Sequence, residues 1–357
     1  MAFPPCTLAA LVLLIAAGVP AKANLIINPL FDFSITNDPN ASGIENTINA
    51  AIAFFENTYS NPIDVTIEFQ EGSALGYNQE GFVYTENYHS FYGALVEENA
   101  NPAAIAGLTQ KGGNSWPNPV TGSMVIFVKS ANMRALGLSG APLCNVTGTA
   151  GSLTCSNVSG GPNAIDGIVS LNTAITYPPQ PDNSSEYSLM ATAEHEIDEV
   201  LGMGSALPRT TSGTASASIP TPDDLFRYNA NGTFASLTVN CAAPPVPVYF
   251  SYSGATLLDQ FNNSCNGGDF GNWQSNPLPA GAHPEVQDAF ATPGARPSYG
   301  PNELAAMTAI GYADPIPTPE PRTWALVLIS LMLFAGGRRR AVNFSRRRAA
   351  SRRYSDA

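Results

Sequence analysis

Ala193-Glu194-His195-Glu196-Ile197-Asp198-Glu199-Val200-Leu201-Gly202 places one imidazole and four carboxylates within ten residues, the densest cluster of metal-capable side chains in the chain. Leu189, Ile197, Val200 and Leu201 recur at helical spacing around it, which predicts a helix over Glu186–Met203, stopped by Gly202 and Gly204. The apolar residues would face a core and the acids the opposite, polar side. Residues four apart on a helix stand one turn above each other, so His195 and Glu199 can grip a common ion. Glu196 then borders the place where water activated by that ion would sit, which makes it the candidate general base.

Working outward, a helix is expected over Ser42–Tyr59, with Ile44, Ile48, Ile52 and Phe55 on one stripe and Ser42 as its cap. Asp64–Phe69 alternates as a strand should, with Val65, Ile67 and Phe69 on one face. A second helix is expected over Tyr88–Glu98, a buried strand over Met124–Val128 and a short strand over Asp166–Asn172. Cys144–Asn163 and residues 206–222 are rich in Gly, Ser, Asn, Thr or Pro and read as loops. Short strands follow at Leu225–Tyr228 and Val248–Tyr252, then a last helix over Asn302–Ile310. The fold class is α+β: a central helix beside a mixed sheet, with a loop-rich C-terminal half.

The two ends read differently from this body. Leu8–Val19 is almost wholly apolar and closes on Ala21-Lys22-Ala23, the small-residue frame of a signal-peptidase site, so residues 1–23 read as a signal peptide. Met1-Ala2-Phe3 lacks the Lys or Arg usual in front of such a run. After the stiff linker Pro315-Ile-Pro-Thr-Pro319, the tail 314–357 carries Pro319-Glu320-Pro321, an apolar segment 324–337 and Arg338-Arg339-Arg340. The arginines would keep that end cytoplasmic. Between the ends, residues 24–313 hold six Lys and Arg against 25 Asp and Glu, a balance of −19, where the whole chain carries −12. Such a surface repels phosphates and argues against nucleic acid as a partner, while its carboxylates suit structural calcium. Cys6 leaves with the signal, and four cysteines in an exported chain point to two disulfides. Of the three pairings, the local Cys144–Cys155 and Cys241–Cys265 are favoured, each stapling a polar excursion.

His195-Glu196-Ile197-Asp198-Glu199 resembles the His-Glu-x-x-His of zinc metalloproteases, with Glu199 in place of the second histidine. Gly202 matches the longer metzincin pattern, Ser205 stands where that pattern has its third histidine, and Met307 would correspond to the methionine of its turn. The chain is more closely similar to bacterial secreted metalloproteases that carry His-Glu-Ile-x-Glu-Val-x-Gly. Asp224-Leu-Phe-Arg-Tyr228, Tyr249-Phe-Ser251, Gly268-Asp-Phe-Gly-Asn-Trp273 and Asp288-Ala-Phe290 follow in that family's order. The resemblance spans residues 120 to 313 and implies a zincin-like fold with the strand 166–172 beside the site. It implies zinc on His195 and Glu199, a third ligand among Asp224, Asp269 and His283, with Asp198 a poorer choice, and hydrolysis of a protein or peptide substrate with Glu196 as base. Two carboxylates with one imidazole would make a harder site, open to manganese or calcium.

The tail resembles the PEP-CTERM sorting signal of Gram-negative bacteria, departing from it in the further basic run Arg346–Arg353. That resemblance implies processing by signal peptidase and an exosortase. The chain would be tethered in the inner membrane through 324–337, then reach the cell surface or the medium. Arg227 is expected to pair with a carboxylate and Trp273 to pack. The rival reading is a catalytically silent zincin-fold surface or matrix binding protein, with a structural ion or none.

Overall fold

The computed structural model describes residues 24–79, 83–98, 101–108, 116–157 and 161–313. The expected signal peptide 1–23 and tail 314–357 lie outside the described residues. Contacts divide the chain after Asp314, and everything below belongs to the first unit.

Strand β1 (Ile26–Phe31) leads into helix α1 (Ala41–Thr58) and strand β2 (Asp64–Glu71), a βαβ unit with β1 and β2 parallel. Val65, Ile67 and Phe69 of β2 and Ile44, Ile48, Ile52 and Phe55 of α1 are buried on the faces that their spacing implies. Strand β3 (Gly76–Gln79) and strand β4 (Gly167–Leu171) complete a four-stranded sheet in the order β1-β2-β4-β3. β4 runs parallel to β2, and β3 is the antiparallel edge. All five residues of β4 are buried. Helix α2 (Leu189–Leu201) packs on this side of the sheet so closely that a Cβ on Gly167 would come within 2.9 Å of the Val200 side chain. Leu189, Ile197, Val200 and Leu201 join the same core as β2 and α1, each burial stabilising by roughly 1.5–3 kcal/mol.

The later half is built from small antiparallel pieces and connecting loops. Arg227–Asn229, Val248–Phe250 and Gln260–Phe261 form a three-stranded sheet, and Thr214–Ser216 pairs with Thr238–Asn240. Trp273 packs on Phe250 and Phe261 with 1% of its surface exposed, as expected of it. The final helix, α3 (Pro301–Ala309), closes the core. The protein is therefore of mixed α+β class.

Several expectations need correction. Cys144–Asn163 is not loop throughout: Cys144–Thr147 and Thr154–Asn157 pair as a hairpin, because the β-branched Val146, Thr147 and Thr154 occupy ladder positions while Gly148 and Gly151 make the turn at positive φ. Residues 206–222 include the strand Thr214–Ser216, and Leu225–Phe226 belong to a 3-10 turn that precedes strand Arg227–Asn229. Ser42 lies inside α1 rather than capping it; Asn40 holds that place.

Both local disulfides, Cys144–Cys155 and Cys241–Cys265, are formed, which suits an oxidising, exported environment. Among the described residues no helix is long and apolar enough to cross a membrane.

Helix α2 begins at Ser188, whose Oγ accepts from the Ala191 amide at 3.0 Å. Ser188→Ala should lower stability by about 1 kcal/mol, measured as a shift of the urea midpoint at constant m-value; an unchanged midpoint would show that the cap does not support the helix.

Candidate active site

All of helix α2 except Met190 and His195, which are half-buried, is buried. Glu194, Glu196, Asp198 and Glu199 are between 0% and 7% exposed, so the acids do not share the one polar side that their spacing suggested. They divide instead between two environments. Asp198 turns into the core, where it accepts from Tyr299 Oη at 2.7 Å and Gln287 Nε2 at 3.3 Å. Glu194, one turn before it, is pushed up to about 7 by burial and by the charge of Glu303. His195, Glu196 and Glu199 line a cleft of ≈ 390 Å³, together with Tyr77, Asp269 and Asn272.

Within the cleft the expected helical turn is present: His195 Nε2 and Glu199 Oε1 are 3.2 Å apart. His195 Nδ1 lies 2.8 Å from the Val286 carbonyl. A carbonyl only accepts, so Nδ1 carries a proton and Nε2 faces Glu199, the orientation that a metal-binding histidine takes. Burial disfavours a charged imidazole, but Glu199 and then Glu196 outweigh it and raise the His195 pKa to about 10. The pocket thus demands a positive charge at Nε2, from a proton or from a metal ion. Burial also works against ionisation of Glu199. The His195 hydrogen bond and charge, with Lys129 and Arg209 beyond, nevertheless hold its carboxyl well below the usual range. Lys129 Nζ donates to the carbonyls of Glu199 and Met203 at 2.5 and 2.6 Å. Glu196 is raised to about 7, by burial first and then by Glu199, against the pull of His195. A carboxylate poised near neutrality suits a general base.

Two asparagines that sequence reasoning missed complete the cluster. Asn78 of β3 donates to Glu196 Oε2 at 3.0 Å and approaches Glu199 Oε2 still more closely. Asn272 Nδ2 lies 3.1 Å from His195 Nε2 and 3.2 Å from Glu199 Oε1. Asn272 belongs to the Gly268–Trp273 segment already singled out, so its neighbourhood was signalled; nothing local marks Asn78. Both are brought in by close backbone approach. A Cβ on Gly76 would strike the Glu196 carboxylate and come within 2.8 Å of Thr192, and one on Gly271 would lie 2.6 Å from Gly204 Cα.

The three candidates for a third ligand fall in different places. Asp224 is fully buried and its carboxylate is taken by Ser205 Oγ, the Ala206 amide and Thr221, away from the cleft. His283 is exposed, and only its neighbours Pro284 and Glu285 reach the cleft. Asp269 does line the cleft, but Oδ1 accepts from the Gly271 amide at 2.8 Å and Oδ2 faces Arg209 Nε at 3.6 Å. Among the described residues, no group of three or more His, Cys, Asp and Glu is arranged to hold a metal ion. Met307 is buried within α3, a helix and not a turn. Arg227 is held by the Phe270 carbonyl, by Asn263 Oδ1 at 2.9 Å and by the Phe261 ring, with Asp223, Asp224 and Asp269 acting on it through space. Its expected carboxylate contact is thereby replaced by neutral acceptors.

No family model, curated protein or solved structure matches the chain. Its functional reading rests on the geometry.

Glu285 tests the electrostatics of the cleft's rim. Burial, then the hydrogen bond and charge of Asp259 and the charge of Glu303, raise it to about 9 against the help of Asn302. The folded state therefore keeps a proton that the unfolded chain releases near pH 4.3. The associated stability is present below that pH and is lost as pH rises towards 9. Glu285→Gln should raise the melting temperature at pH 8.5 and leave it little changed at pH 4.5; equal shifts at both would contradict the assignment.

Proposed function

We propose that the chain is an exported, metal-dependent peptidase of zincin-like fold. The reading is carried by one observation: His195 and Glu199 converge within 3.2 Å on an open cleft, with Glu196 beside them on the same helix. Their donor set, an imidazole with its far nitrogen anchored on a carbonyl plus an ionised carboxylate, fits a divalent cation such as zinc. A further sign of fit is Asn272 Oδ1, buried at the same place without a hydrogen-bond partner. His195 and Glu199 would hold the ion, which when bound supplies a Lewis acid that polarises a scissile carbonyl and makes water more acidic.

The chain's own residues account for the remaining work. Glu196 takes the proton of the attacking water as its oxygen adds to the carbonyl carbon. It then delivers that proton to the departing amine as the C–N bond breaks, leaving an acid and an amine. Asn78 steadies the Glu196 carboxylate for both transfers. Gly76 and Tyr77 of β3 line the cleft, and β3 is an edge strand. Its outer backbone edge, unpaired among the described residues, suits an extended peptide, which would take its place as an added strand.

Export follows the same reading. Residues 1–23 are removed by signal peptidase. The PEP-CTERM-like tail 314–357, with its apolar segment 324–337, tethers the chain at the inner membrane until an exosortase cuts it, leaving the body at the cell surface or released. The two disulfides support this route. The lack, among the described residues, of a third His, Cys, Asp or Glu arranged with them favours the rival reading of a silent surface or matrix binding protein, with a structural calcium or none.

One experiment separates the two. The full chain is purified, its metal content is measured, and casein hydrolysis is compared with that of Glu196→Gln. The peptidase reading expects bound metal in both proteins and a loss of about 10²–10⁴-fold in kcat for the variant. A metal-free wild type with no hydrolysis would leave only the binding protein.

A further inference from the structure

We propose that Asn272 is the third protein ligand of the metal, through its side-chain oxygen. The inference rests on the peptidase reading's ion at His195 and Glu199 and says what completes its shell. Three side-chain atoms form a nearly equilateral triangle: His195 Nε2 and Glu199 Oε1 at 3.2 Å, with Asn272 Nδ2 3.1 Å from the first and 3.2 Å from the second. Ligand atoms bound tetrahedrally at roughly 2.0–2.1 Å stand about 3.4 Å apart, so this triangle has the size of one face of a coordination shell. The amide nitrogen stands at one corner of it and donates to Glu199 Oε1. The arrangement leaves the other end of the amide, Oδ1, buried and without a partner, on a residue 4% exposed.

An asparagine's oxygen and nitrogen exchange places by a half-turn about the last side-chain bond. That rotation brings Oδ1 to the third corner without moving any backbone atom. An amide nitrogen does not bind metals, whereas an amide oxygen is an ordinary ligand for hard and borderline cations.

Charge gives a second argument. Two imidazoles and one carboxylate, a ligand charge of −1, are one donor set with which catalytic zinc works. Replacing the second histidine by Glu199 preserves that total only if the third ligand is neutral. With Asp269 the sum would be −2, and the ion would lose acidity. With Asn272 it stays at −1. The backbone around Asn272 is firmly placed: its carbonyl accepts from the Asn262 amide at 2.7 Å, and Trp273 exchanges backbone bonds with Gln287 and Ala289 at 2.8 and 2.9 Å. Asp269 stays outside the shell: Oδ1 accepts from the Gly271 amide, a bond that an asparagine oxygen at the same place also accepts, and Oδ2 faces Arg209.

The test measures metal binding by chelator competition on the full chain, with zinc and cobalt as probes, for wild type, Asn272→Leu, Asn272→Asp and Asp269→Asn. Asn272→Leu should weaken binding by at least about 10-fold and change the visible spectrum of the cobalt form. Asn272→Asp, which retains an oxygen at the same reach, should bind as tightly as wild type or tighter. Asp269→Asn should leave affinity and spectrum unaltered. If the leucine variant does not fold, the aspartate variant decides: bound cobalt with a spectrum shifted from wild type supports ligation, and an unshifted spectrum overturns it. Wild-type affinity and spectrum in Asn272→Leu, or loss of binding confined to Asp269→Asn, would overturn the assignment while leaving the peptidase reading intact. A wild type that binds neither metal would remove both.

Discussion

Four carboxylates on ten residues of one buried helix set the terms for everything packed around it. Each carboxylate taken out of water costs several kcal/mol unless a proton, a hydrogen-bond donor or a cation compensates. The structure uses all three means. Asp198 is given Tyr299 and Gln287. Glu194 and Glu196 are driven towards protonation. Glu199 is kept ionised by His195 and by the nearby charges of Lys129 and Arg209. A helix that served only as packing would carry none of this load. The core residues Leu189, Ile197, Val200 and Leu201 supply the apolar burial that offsets it.

The cleft is assembled from parts far apart in sequence. The helix contributes His195, Glu196 and Glu199, the edge strand contributes Asn78, and the Gly268–Trp273 segment contributes Asn272. Gly76 lets the edge strand lie on the helix, and Gly271 lets the second piece lie on the Gly204–Ser205 backbone just beyond it, at distances that no larger residue allows. The Val286 carbonyl anchors the imidazole from a fourth segment. Precision at the site therefore depends on loops of the later half being fastened to the helix, as Val286 and Asn272 are through His195 and Glu199, while Trp273, packed on Phe250 and Phe261, holds the Asn272 loop within the later half.

Much of the first half was legible because periodicity reports one-sided burial. The stripe on α1 and the alternation on β2 match the observed core closely, and the helical turn joining His195 to Glu199 is local geometry. The cysteine pairings were legible for a similar reason, each closing a short polar excursion. What could not be read is non-local. Asn78 and Asn272 look like any loop or strand asparagine until the fold sets them against the helix. The hairpin at Cys144–Asn157 was hidden by the Asn, Gly and Ser residues dispersed through it. The fate of Asp224 was equally hidden: its three partners come from Ser205, Ala206 and Thr221, and only the folded turn reveals that its oxygens are occupied.

The alignment of β3 has a consequence of its own. Asn78 sits opposite Val169 in the antiparallel ladder, and neighbouring residues of a strand point to opposite faces. Sliding β3 by a single position would turn Asn78 away from Glu196 and offer Tyr77 or Gln79 in its stead. Backbone pairing and the hydrogen bonding of the buried carboxylates consequently share one frame, so a mispaired edge would yield a molecule nearly native in shape whose Glu196 lacks its amide donor.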